Sequence, residues 1–167
     1  MAATEEVAEN RLIPLHVFRF KVEFRRDGTG RKAQPSAPVD LCSGAFAECN
    51  GLEATMEPKL IKAGGLNYGS VQRPGRVSFA TVVLKRGMTS TRDLWDWFQQ
   101  VNMRGAYAYR LSVDITLEDT SGQPVIRWNL ARALPVKFKA ADLNAKGSEI
   151  GVEELHLVHE GLSMGPA

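Results

Sequence analysis

The sequence predicts a mainly β domain, an antiparallel β-sandwich or barrel that carries one amphipathic α-helix. Three observations lead there. Apolar and polar residues alternate with period two in three separate segments, a single segment has helical periodicity, and 167 residues are enough for one domain but cramped for two.

Composition removes several other classes. Lys and Arg number 21 against 19 Asp and Glu, a net charge of +2, with 44% hydrophobic and 24% charged residues. These are globular values and exclude a disordered or fibrous chain. A domain of this size buries roughly 70% of its unfolded surface, so its core needs no disulfide or metal. The small net charge gives no argument for nucleic acid. Met1-Ala2-Ala3-Thr4-Glu5-Glu6-Val7-Ala8-Glu9 is acidic where a secretory signal would be basic, and no apolar region follows it. No stretch reaches the ~18 apolar residues of a membrane span. Synthesis as a soluble cytoplasmic chain, without membrane insertion, is expected, with Cys42 and Cys49 reduced.

Residues 1–16 read as an N-terminal arm, 17–162 as the β domain and 163–167 as a C-terminal tail. In the first strand Phe18, Phe20, Val22 and Phe24 alternate with Arg19, Lys21, Glu23 and Arg25. Alternation sends successive side chains to opposite sheet faces, one dry and one wet. Residues 26–40, with Gly28, Gly30, Pro35 and Pro38, form a polar, exposed insertion. A strand around Gly44–Leu52 comes next, then a segment from Glu53 to Gly75 whose Pro58, Gly64-Gly65, Gly69 and Pro74-Gly75 predict a long loop. A loop of that length in a compact domain is usually functional or packed on a partner.

A strand around Arg76–Lys85 precedes the helix. Ser90-Thr91-Arg92-Asp93 resembles a capping box with Asp in the Glu position. Beyond it Leu94, Trp97, Phe98 and Val101 share an arc about 100° wide, with Trp95 on its flank, so these four are the predicted core face. Gly105 lies just past the helix.

Leu111, Val113, Ile115 and Leu117 mark the second alternating strand, and Glu118–Gly122 reads as a hairpin turn. The third alternating segment keeps one parity from Ile126 through Trp128, Leu130, Leu134, Val136 and Phe138, broken only by Arg132. In the last strand, Ser148–Glu160, Ile150 and Val152 share one parity and Leu155 and Leu157 the other. This predicts a bulge or a change of layer at Glu153-Glu154.

No motif in the chain requires catalysis, and no cofactor or metal is expected. His156 and His159 face apart on a regular strand, His16 stands alone, and Cys42-x6-Cys49 lacks zinc or redox spacing. Gly28-x-Gly30 lacks a following helix, and the phosphate-loop and nucleophile-elbow patterns are absent. Glu153 and Glu154 are strand neighbours that face apart, the wrong geometry for a catalytic carboxylate pair. Trp95 and Trp97 could stack a ligand, though core packing accounts for them more simply. The basic cluster Lys85-Arg86-Gly87, with Arg73 and Arg76 near Phe79 and Tyr68, suits either nucleic acid or a salt-bridged subunit contact; the contact is favoured.

Specific strings add to this reading. Gly51-Leu52-Glu53, Arg73-Pro74-Gly75, Leu84-Lys85-Arg86-Gly87, Asp93-Leu94-Trp95-Asp96-Trp97, Trp128-Asn129, Asp142-Leu143-Asn144-Ala145 and Glu154–Leu162 occur in that order. Together they resemble the tail tube proteins of contractile phages and phage-derived injection particles, whose fold is shared with the haemolysin-coregulated protein of type VI secretion. The ordered set spans roughly Val17–Leu162.

The resemblance implies a structural subunit, six copies to a ring, with rings stacked into a hollow inner tube inside a contractile sheath. Implied partners are further copies, adjacent rings, sheath, spike or baseplate proteins and luminal cargo, without specific nucleic-acid binding. Implied subunit or ring contacts fall on Glu53, Met56, Lys59, Tyr68, Arg73, Arg76, Lys85 and Arg86. The insertion at 26–40 departs from the family's short turn and leaves two roles open, a bulk tube repeat or a specialised ring beside the spike or baseplate. The particle is equally open among phage tail, extracellular injection system and tailocin. A monomeric ligand-binding β-barrel is the main alternative, and an oligonucleotide-binding barrel a third.

Overall fold

The alternating segments are carried by long antiparallel strands in the computed structural model, which describes residues 14–26, 45–62, 64–65, 68–103 and 109–167. The expected insertion 26–40, Cys42 and Gly105 lie almost wholly outside that range, as do residues 1–13. In chain order the elements are β1 (Phe20–Arg26), β2 (Phe46–Asn50), β3 (Ala54–Met56), β4 (Lys59–Ile61), β5 (Val71–Arg73), β6 (Val77–Phe79) and β7 (Val82–Gly87). Then come α1 (Asp93–Asn102), β8 (Leu111–Glu118), β9 (Pro124–Lys139), β10 (Val152–Val158) and β11 (Gly161–Pro166).

The main sheet runs β1-β8-β9-β10-β7-β2, with β11 also paired to β9. Its two outer strands meet through side chains: the Phe24 and Phe46 rings lie 6.2 Å apart across the seam. The curled sheet therefore closes on an apolar core that includes Phe24, Leu84, Leu111, Val113, Leu130, Leu155 and Leu157. Residues 163–167, expected as a tail, instead supply most of β11, where Ser163–Pro166 pair with Asn129–Ile126.

The 16-residue strand β9 belongs to both halves of the barrel. Its first part pairs with β8 and β11, and its second with β10. Between them Arg132 adopts a positive φ of 52°. The register slips there, since Val113 faces Leu130 while Leu111 faces Ala133. The bulge turns the strand over, so Leu130, Ala133 and Pro135 point inward and Val136 is exposed. The expected single parity through Val136 is corrected by this extra residue.

The switch expected at Glu153-Glu154 is likewise corrected. Glu153, Leu155 and Leu157 face inward on one unbroken parity, and Ile150 and Val152 are exposed. The irregularity in this pairing falls between His156 and Leu157, opposite β9. A carboxylate can occupy the core face because Arg86 meets it there.

Helix α1 closes the barrel with Leu94, Trp97 and Val101 buried. The Trp97 ring stands edge-on to Phe24 at 5.7 Å and its indole N–H donates to the Tyr109 carbonyl at 3.5 Å. Phe98, expected in the same core arc, is only half-buried and stacks on Trp95 at 5.6 Å. The capping box is not formed: Arg92 is the N-cap residue and no side chain caps the helix. Asp93 turns to Arg86 instead. The predicted hairpin turn is present, with the Asp119 carboxylate accepting from the Ser121 and Gln123 amides, each at 2.8 Å.

Candidate functional site

The segment from Glu53 to Gly75, expected as an irregular loop, is largely a projecting two-stranded arm. Its base is the ribbon β3–β6 and its outer part the ribbon β4–β5. The chain leaves the barrel at Gly51, whose φ is +88° and where a Cβ would run into the Thr81 carbonyl. Only glycine fits this exit without strain. The Ala80 amide donates to the Glu53 carbonyl at 3.1 Å and closes the base. At the joint between ribbons, a Cβ on Gly75 would strike the Glu57 carbonyl.

The arm carries apolar side chains into solvent. Met56 and Val77, cross-strand partners in the base ribbon, are 46% and 48% exposed, and Leu60 is 62% exposed on the outer ribbon. Tyr68, near the tip, is fully exposed. Lys59 and Arg73 sit directly opposite each other on β4 and β5. Like charges in that position destabilise an isolated ribbon.

A second surface lies in the connection between β9 and β10, residues 140–151. Leu143 and Ile150 are 88% and 83% exposed there. Its neck is pinned to the barrel by the Met88 amide, which donates to the Gly151 carbonyl at 2.8 Å. Lys139, Asp142, Lys146, Glu149 and Glu154 are among the residues lining an open crevice of about 550 Å³ in this connection.

Strand register places the two surfaces at opposite ends of the sheet. The start of β7, Val82, faces Leu157, and β2 runs out beside it, with Asn50 facing Val83, before the arm begins. The end of β7, Gly87, faces Val152, where the 140–151 connection enters β10. Six strand residues separate the ends by about 20 Å.

Of the expected contact residues, Glu53, Met56, Lys59, Tyr68, Arg73 and Arg76 are thus exposed on or beside the arm. Lys85 lies on the outer face of β7, 2.8 Å from Glu48. That pairing raises the Lys85 pKa and lowers that of Glu48. Arg86 is the exception, and its expected contact role is corrected. At 1% exposure it is sealed inside the subunit, its Nε 2.5 Å from Glu153 and its terminal nitrogens on Asp93 at 2.5 and 3.2 Å. Alternation along β7 explains this, since Val82, Leu84 and Arg86 share the inward parity. Burial pushes the Asp93 carboxyl up, but hydrogen bonding and charge from Arg86 outweigh it and hold the group below its ordinary value.

Cys49 is partly buried at the barrel seam, and desolvation raises its thiol to about 11, so it is a protonated, unreactive packing group. Among the described residues no helix is long and apolar enough to cross a membrane. The sequence did not single out Leu143 and Ile150 as surface groups. The expected strand from Ser148 is corrected, since β10 begins only at Val152 and Ile150 lies in the exposed connection before it.

Residues 16–163 match the model of the family described as T4-like virus tail tube protein gp19. Among solved structures, a chain in the baseplate of the anti-feeding prophage is 27% identical, with a TM-score of 0.76 over 93% of this chain and 98% of that one. A chain in the extended sheath-tube complex of the extracellular contractile injection system PVC is 19% identical, covering 100% of both at a TM-score of 0.72. Hcp1 from Flavobacterium johnsoniae is 13% identical and shares the fold at a TM-score of 0.52, over 87% of this chain and 95% of that one. No curated protein sequence matches the chain.

Proposed function

The chain belongs to the T4-like virus tail tube protein gp19 family, and from that premise we propose that six copies form a ring and that rings stack into the inner tube of a contractile injection particle. The observation that carries the stacking is the pair of exposed apolar surfaces at opposite ends of one sheet, the arm around Met56, Leu60 and Val77 and the connection around Leu143 and Ile150. Two different surfaces that meet head to tail generate an open, repeating assembly rather than a closed dimer. Cations paired across the arm ribbon, Lys59 with Arg73, gain from acidic groups such as Asp142 and Glu149 at the far end of the next copy. The sheath lies outside the tube, the spike and baseplate at one end, and cargo in the lumen. The particle acts outside the cell that makes it. The work of the subunit is structural, with no reaction assigned to it.

A second reading, the specialised ring beside the baseplate, is favoured by the 27% identity to the baseplate chain against 19% to the sheath-tube chain. Copy number and position in a cryo-electron map of the intact particle decide between them. One ring at the baseplate supports specialisation; many identical rings along the shaft overturn it. For the tube itself, light scattering and negative-stain microscopy of the purified protein should show rings or stacks. A strictly monomeric species at high concentration would instead favour a ligand-binding barrel.

A further inference from the structure

The base of the arm rests on one titratable ring. His159 lies in the turn between β10 and β11, and its ring packs on Phe79 of β6 with centroids 5.1 Å apart. Its Nδ1 is 2.9 Å from the Gly161 carbonyl. A carbonyl only accepts, so Nδ1 carries the proton and Nε2 is left as the bare nitrogen. That Nε2 is buried with no hydrogen-bond partner among the described residues. Neutral imidazole leaves only an unpaired acceptor at this position, a smaller cost than an unpaired charged donor. A second proton would place a charged N–H donor in a position without an acceptor, which outweighs the modest cation–π attraction of a phenylalanine.

The surrounding charges do not relieve this. Glu160, next in the chain, is held by Arg110 at 2.6 Å and Arg132 of β9 at 2.8 Å. On the arm, Glu53 accepts from the Thr55 hydroxyl, and Arg76 is exposed before β6. Burial lowers the pKa of His159, opposed only by the Gly161 carbonyl.

We propose that His159 is a proton-operated pin at the base of the arm, seated on Phe79 when neutral and released from it, freeing the β3–β6 ribbon, when protonated. The Phe79 contact joins arm to barrel across 80 residues of chain, close to the Gly51 exit that fixes the arm's direction. Mild acid should therefore loosen the arm while the barrel stays folded. The pin is a property of the single subunit. Its consequence for stacking rests on the tube reading, and the experiment reads the arm directly so that the two can fail separately.

The sign follows from linkage. A histidine whose folded pKa is lowered binds fewer protons when seated than when free. Seating is therefore at full strength above the free value of about 6.5 and weakens as pH falls from there to the folded pKa, below which it levels off. The loss is up to about tenfold per pH unit for one proton. The test takes the full chain from about pH 8 to about pH 4.5, the range that brackets histidine titration. Deuterium exchange at the His159 ring carbon, read by mass spectrometry, reports its pKa. Amide exchange, corrected for the intrinsic effect of pH, reports protection of Val77–Phe79 against that of β8. The expected result is titration below about 6.5, with arm protection falling in step and β8 unchanged. His159→Phe, which keeps a ring on Phe79 and cannot titrate, should hold arm protection flat across the range. Titration at or above the free value, or equal loss of arm protection in both proteins, would overturn the pin. If the Phe variant does not fold, the wild-type titration together with the arm and β8 exchange still decides it.

Discussion

Arg86 offers the sharpest test of how the barrel holds its helix. Its guanidinium is 1% exposed and bridges Glu153 of β10, at 6% side-chain exposure, to Asp93 of α1, at 17%. Arg86→Met removes the cation and strands a carboxylate on the core face. Breaking a buried pair this way costs about 3–5 kcal/mol. Glu153→Met is milder, because the arginine keeps Asp93, and should cost about 1–3 kcal/mol. The double variant places two apolar chains where the pair was. Such replacement is close to neutral for the pair itself, while Asp93 stays partly hydrated in the first helical turn, where the helix dipole favours it by up to about 1 kcal/mol. The double variant should therefore be more stable than Arg86→Met alone, with a coupling of about 2 kcal/mol or more. Urea unfolding of dilute protein, followed by tryptophan fluorescence, measures each corner of the cycle. In melting temperature, the Arg86→Met loss corresponds to roughly 6–20 °C at this chain length. Additive single-variant losses would refute the reasoning, since they would mean that the three groups do not share one buried charge balance.

Two further outcomes follow from packing. Trp97→Ala should cost about 3–5 kcal/mol in the same urea assay, because the ring is 1% exposed against Phe24; Phe98→Ala, from a half-buried site, should cost clearly less, and equal losses would contradict the split. Gly75→Ala should disturb the arm joint, where a Cβ meets the Glu57 carbonyl, and reduce stacking seen by electron microscopy while leaving β-rich circular dichroism intact; unchanged stacks would show that the bend between ribbons is irrelevant.

The strands that show period two along their whole length were legible in the sequence because one face of each is dry. β1 and β8 are of this kind: Phe24, Leu111, Val113, Ile115 and Leu117 are buried, and Asp114 on the opposite parity of β8 is also buried, paired with Arg25 of β1. The arm was not legible. Its strands are three residues long and exposed on both faces, so no burial imposes a period, and Gly and Pro at its joints read as loop. The bulge at Arg132 was visible as an interruption, but its consequence was not. A positive φ on arginine has no sequence signature, and only the pairing on both sides of β9 shows that the parity turns over there.

Glu153 and Ile150 show why the remaining misreadings fall where they do. Binary patterning assumes that a carboxylate faces water and an isoleucine faces the core. On that assumption the pair forces a switch of face between them. The barrel instead keeps its parity and violates the assumption twice, placing Glu153 inside against Arg86 and Ile150 outside at 83% exposure. Each violation needs a compensating partner. For Glu153 the partner is 67 residues away in the same chain and ties β10 to β7. Ile150, like Leu143 in the same connection and Met56 and Leu60 on the arm, stays largely exposed among the described residues. The sheet places these exposed apolar groups at its two ends and keeps charged residues such as Lys21, Glu23 and Lys85 along its outer face. In the proposed tube, copies of the chain stacked end to end would cover these exposed groups and supply the partners that they lack in the single subunit.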